Sequence, residues 1–205
     1  MILCFIIISI LVFFLNYLKS QQTIYVGILL SLAFINEVIT LILIELKISY
    51  SLSTTIYLFL HNILWYLIFY SISSQKKKVA IVIVFYSIIS ILNFFFLEGI
   101  FNFNFFSFIF GALFYIILFI DESFKNLKSE NFSYFFHNKF LLIFSPVLFF
   151  FGLSFVFGFK SERLAHTRVI FSIELYHFIS NFVNFIYYFL ISTYIYREKK
   201  LQHAR

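Results

Sequence analysis

The sequence predicts an all-α, polytopic integral membrane helix bundle of about seven transmembrane helices, with the N-terminus outside and the C-terminus inside. Three observations lead there. Of 205 residues 62% are hydrophobic and only 12% charged, about half the charge of an average soluble domain. The apolar residues fall into seven runs free of Lys and Arg. The basic residues sit between those runs and are unequally shared by the two sides. A water-soluble fold of this length would need polar surface that the chain does not possess.

The runs are taken in order. Ile2–Leu18 ends at Lys19, and Ile24–Ile44 ends at Glu45 and Lys47. Ile56–Ile72 is followed by Lys76, Lys77 and Lys78. Val79–Leu97 ends at Glu98, Gly99 and an Asn-containing turn, and Phe105–Ile120 at Asp121 and Glu122. Phe140–Phe159 ends at Lys160, and Val169–Tyr196 at Arg197. A span needs about 20 apolar residues. The fifth run is short for that, and the seventh is long enough to tilt or to emerge from the bilayer. The first run lacks a basic leader and a small-residue cleavage site, so it reads as a span and not as a cleaved signal. The segment Asp121–Lys139 reads as a polar, amphipathic loop. No repeat or composition shift divides residues 1–205, which read as one transmembrane domain.

Orientation follows from Lys and Arg. With the C-terminus inside, eleven of the fifteen basic residues lie on inner segments and four on outer ones. The loop Lys160–Arg168 dissents, being basic and outside. Lys76–Lys78 and Arg197–Lys200 read as anchors for anionic headgroups. The +6 net charge forms no basic stripe interleaved with aromatics, which argues against nucleic-acid binding. Lone Cys4 supports no intrachain disulfide. The Phe-rich composition is one that an AT-rich genome produces by itself and carries no functional weight.

Polar groups are costly in lipid, so their positions carry most of the functional information. The second run holds Asn36 and Glu37, the third His61 and Asn62, the fourth Asn93, and the seventh Glu174, His177, Asn181 and Asn184. The last four follow spacings that place them on one face of one helix. That face is expected to turn toward other helices, with His177 and Asn181 the most buried. At a rise of about 1.5 Å per residue, Glu37, His61, Glu174 and His177 all lie roughly 8–12 Å from the outer ends of their spans. A polar cluster in one leaflet is expected, with Glu37, His61, Asn62, Glu174, His177 and Asn181 as a ligand or proton-sensing pocket.

Other readings compete. Asn and His also serve simply as interhelical hydrogen-bond partners. No cofactor is expected, although His61, Glu174 and His177 include ligand types that could hold a metal or haem. Glu174 and His177 form only one of the two Glu-x-x-His pairs that a di-iron bundle needs. Gly152-Leu153-Ser154 with His177 resembles the Gly-x-Ser and His of rhomboid proteases, but Phe155 follows where Gly is expected. Gly27 with Ser31, and Ser107 with Gly111, read as small-residue packing points. Pro146 is expected to kink the sixth span.

Three stretches carry a wider likeness. They are Phe34-Ile35-Asn36-Glu37, Leu60-His61-Asn62-Ile63-Leu64, and Leu175-Tyr176-His177-Phe178-Ile179-Ser180-Asn181. With them the chain resembles a group of bacterial seven-span membrane proteins, similar to the membrane input modules of some histidine kinases. That resemblance implies a location in the bacterial cytoplasmic membrane and a sensory role. Only the tail Arg197–Arg205 follows the last run, so signalling would require a cytoplasmic partner. The expected function is a non-enzymatic sensory or regulatory module. The alternative is a membrane-embedded enzyme or transporter that uses the Glu/His cluster.

Overall fold

A computed structural model describes residues 20–158, 168–170 and 173–203. Its helices are α1 (Gln21–Glu45), α2 (Ser51–Ile72), α3 (Lys76–Leu92), α4 (Phe105–Lys128), α5 (Ser133–Phe136), α6 (Asn138–Gly158) and α7 (Leu175–His203). A π-helical turn, Asn93–Leu97, extends α3. Among the described residues six helical segments are long and apolar enough to cross a membrane: Gln21–Glu45, Ser51–Ile72, Lys76–Leu97, Phe105–Lys128, Asn138–Gly158 and His177–Leu201. These correspond to the second through seventh runs. The first run, Ile2–Leu18, lies outside the described residues.

Two boundaries differ from expectation. The fifth span does not stop at Ile120. It continues for two further turns to Lys128, so the polar segment after Asp121 begins as helix. The acidic residues that seemed to end the run instead sit on a continuous helix, where Glu and Lys are good formers. The seventh helix does not begin at Val169. Arg168–Ile170 pairs antiparallel with Ile173–Glu174, and the helix starts at Leu175. Val169, Ile170 and Ile173 are β-branched, which suits extended backbone.

The chain divides into two compact units, Met1–Phe108 and Ile109–Arg205. Unit 1 packs α1 on α2 and α2 on α3. Its core includes Val26, Leu29, Leu30, Trp65, Tyr66, Ile68, Phe69 and Tyr86. Antiparallel neighbours follow from the short turns. Between α1 and α2, Lys47 takes φ 56°. Its N–H donates to the Ile44 carbonyl, and the Ile48 N–H donates to the Leu43 carbonyl. This is a Schellman closure with Lys where Gly is usual.

Unit 2 is built on the packing of α6 against α7. Pro146 sits inside α6, yet the helix runs through it. Proline has no N–H to give the Leu142 carbonyl. The Ser145 hydroxyl takes that place, donating to Leu142 O at 2.8 Å. The Tyr115 hydroxyl donates to the next carbonyl, Ile143 O, at 2.9 Å. A span can carry proline when side chains re-satisfy the backbone in this way. Gly152 of α6 lies directly beneath Val183 of α7.

Candidate functional site

In unit 1 the ends of α1 and α3 and the starts of α2 and α4 lie at one end of the helices. The tie is direct: the backbone N–H of Asn104 donates to Thr55 Oγ1 at 3.2 Å. Most of the polar side chains of the unit gather in this half. Ser53 donates to Asn36 Oδ1 at 3.4 Å, joining α2 to α1. Glu37 is the charged neighbour of Tyr57. The Tyr57 ring lies 5.5 Å from the His61 ring. A line of Glu37, Tyr57, His61 and Trp65 therefore runs inward from α1 along α2.

His61 is fully buried. Its Nε2 accepts the indole N–H of Trp65 at 3.3 Å. An indole nitrogen only donates, so the ring is neutral with its proton on Nδ1. A metal at Nε2 would have to displace Trp65. Asn62 is also buried, and its Nδ2 donates to the Tyr86 hydroxyl at 2.9 Å. Phe59 and Tyr66 flank that hydroxyl's ring at 5.8 and 5.4 Å. The bond ties α2 to α3.

The densest network surrounds the π turn. Widening the helix at Asn93 brings the Glu98 N–H to the Asn93 carbonyl at 3.1 Å. Asn93 Nδ2 donates to Glu98 Oε2 at 2.6 Å and to Ser107 Oγ at 2.8 Å. The same carboxylate accepts the N–H of Phe105 on Oε1 and that of Phe106 on Oε2, both at 3.1 Å. These are orphan donors at the start of α4. An anion there also meets the positive end of the helix dipole. π turns recur at functional sites because they redirect side chains without ending the helix.

The six residues expected to form one pocket divide between the units: Glu37, His61 and Asn62 in unit 1, and Glu174, His177 and Asn181 in unit 2. Within unit 1 Tyr57 neighbours both Glu37 and His61. Within unit 2 the burial differs from expectation. His177 and Asn181 are exposed, and Asn184 is half-buried. Glu174 precedes the helix, and its carboxylate lies 3.9 Å from His177 Nε2 with both side chains substantially exposed. Such a pair is weakly stabilising. Asn184 Nδ2 donates to Ser180 O on its own helix at 2.8 Å.

Ser154 and His177 do not form a nucleophile–base pair. Ser154 Oγ has no hydrogen-bond partner among the described residues. No three His, Cys, Asp or Glu side chains converge as metal ligands among the described residues either.

Sequence reasoning missed Glu98, Asn104 and Ser107 as members of the polar layer. It also missed Trp65 and Tyr86 as hydrogen-bond partners. At the other end of unit 2, Asn138 Nδ2 donates to Tyr194 O at 3.2 Å and to Glu198 Oε2 at 2.9 Å. This holds the end of α7 to the start of α6. No protein-family model, curated protein or solved structure matches this chain.

Proposed function

We propose that the chain is a seven-span protein of the bacterial cytoplasmic membrane, N-out and C-in, that acts as a non-enzymatic sensory or regulatory module through a cytoplasmic partner. The observation that supports this reading is the buried polar layer of unit 1. Its side chains are engaged with one another and with aromatic side chains: His61 with Trp65, Asn62 with Tyr86, and Asn93 with Glu98 and Ser107. A hydrogen-bonded layer of this kind specifies one arrangement of helices and reports any change that breaks it. Nucleophilic catalysis instead needs a nucleophile set against a base. The Asn138–Glu198 bond gives the tail of α7 a fixed starting point, which a partner reading the C-terminal segment would use.

The test pairs gene expression with metal content. A regulatory module predicts that Asn62→Leu alters the same set of transcripts as deletion of the gene. Purified wild-type protein is then expected to carry no stoichiometric iron, zinc or haem. Stoichiometric metal that is lost in His61→Ala and His177→Ala would overturn the proposal in favour of an enzyme or transporter.

A further inference from the structure

A cavity of about 190 Å³ lies within unit 1, between α2, the α3–π segment and the start of α4. Ile56, Ile91 and Phe95 line it and are each about half exposed. These three side chains form the open side of the cavity. Its deeper wall includes Thr55, Asn104 and Ser107, all buried. Asn104 is 3% exposed. Neither its side-chain nitrogen nor its side-chain oxygen has a hydrogen-bond partner among the described residues. The side-chain oxygen Oδ1 of Asn93, on the same network, is likewise without one among the described residues.

A buried amide with both ends unmet is costly, because neither group recovers the hydrogen bonds it made to water. The cost is higher where no water can reach. Two hydroxyls of the lining are engaged. Thr55 Oγ1 is taken by the Asn104 backbone, and Ser107 Oγ by Asn93. Glu98 accepts from three donors. No Lys, Arg or His lines the cavity, so nothing in its wall would balance an anion. The volume is below the roughly 300 Å³ at which drug-sized sites begin. It is comparable to the ~150 Å³ apolar hole that takes up benzene.

We propose that this cavity binds a small uncharged amphiphile that enters from the bilayer. Its apolar body fills the space between Phe59 and Phe94, and an adjacent donor and acceptor, as in a primary amide or lactam, pair with the Asn104 side chain after that side chain turns toward it. The site shares no residue with the Glu37–His61 line and does not depend on a signalling role.

Thermal unfolding of the full-length protein in nanodiscs tests this with benzamide, toluene and benzoate as probes. Benzamide is expected to raise the unfolding midpoint saturably, and benzoate is expected to leave it unchanged. Ile91→Trp, at the exposed mouth, should abolish the benzamide shift. Asn104→Leu should weaken benzamide by about tenfold or more while leaving any toluene response intact. Should Asn104→Leu fail to fold, Ile91→Trp decides. The proposal is overturned if benzamide gives no saturable shift, if toluene or benzoate matches it, or if the shift survives Ile91→Trp.

Discussion

Gly152→Ala is expected to lower the stability of the protein by about 1–3 kcal/mol, the usual cost of forcing an extra carbon into a packed core. A methyl group at Gly152 would fall well inside van der Waals contact of Val183 Cγ1, with Val183 Cβ at 3.4 Å. Val183 is buried and β-branched, so it has little rotamer freedom with which to yield. The sign of the effect is diagnostic. In an unobstructed helix, Gly→Ala gains about 1 kcal/mol. Close approach of two helices through a small residue is how membrane bundles gain packing without a hydrophobic force between them. Adding Val183→Ala should recover part of the loss, with a coupling of about 0.5–3 kcal/mol. Unfolding in detergent of the two single variants and the double variant checks this. A more stable Gly152→Ala protein would show that α6 and α7 do not meet there.

The second large effect is at Glu98. Its carboxylate accepts from three donors: Asn93 Nδ2 and the N–H groups of Phe105 and Phe106. Glu98→Ala leaves the buried amide of Asn93 short of a partner and uncaps α4. A loss at the upper end of about 1–3 kcal/mol is expected. Glu98→Gln is the sharper test. It keeps one acceptor and turns an NH2 group toward donors, so it should destabilise nearly as much as Ala despite its matching shape. Amide hydrogen exchange at Phe105 and Phe106 should accelerate in both variants. Wild-type stability and protection in Glu98→Gln would mean that this carboxylate does not cap α4.

The positions of six long apolar helices among the described residues were legible because hydrophobic runs of this length leave few alternatives. Asn62 was also legible, since an amide deep in a lipid-spanning run must find a partner. Its partner Tyr86 was not, nor was Trp65 as the partner of His61, because both are grouped with the apolar residues although each carries a polar tip. Glu98 and Asn104 read as the end of a span and as a turn. Only the π turn, which no local preference announces, folds Glu98 back onto Asn93 and α4. Ser107 read as a packing point because its hydroxyl has meaning only once Asn93 faces it. The stripe of Glu174, His177, Asn181 and Asn184 misled for a different reason. Helical spacing shows that residues share a face, not which neighbour that face meets. Here the helix begins only after Glu174, and His177 and Asn181 are exposed.

The most direct measurement is cysteine accessibility in intact cells. Cys4 is the only native cysteine, so Cys4→Ser gives a silent background. In an N-out bundle Asn102→Cys, beside the Glu98 network, is expected to react with a membrane-impermeant maleimide from outside. Lys77→Cys and Lys128→Cys, at the opposite helix ends, should react only after the cells are opened. Labelling of Lys77→Cys in intact cells with none at Asn102→Cys would invert the orientation and place the polar layer on the inner side. Equal labelling of all three would contradict a membrane-spanning bundle altogether.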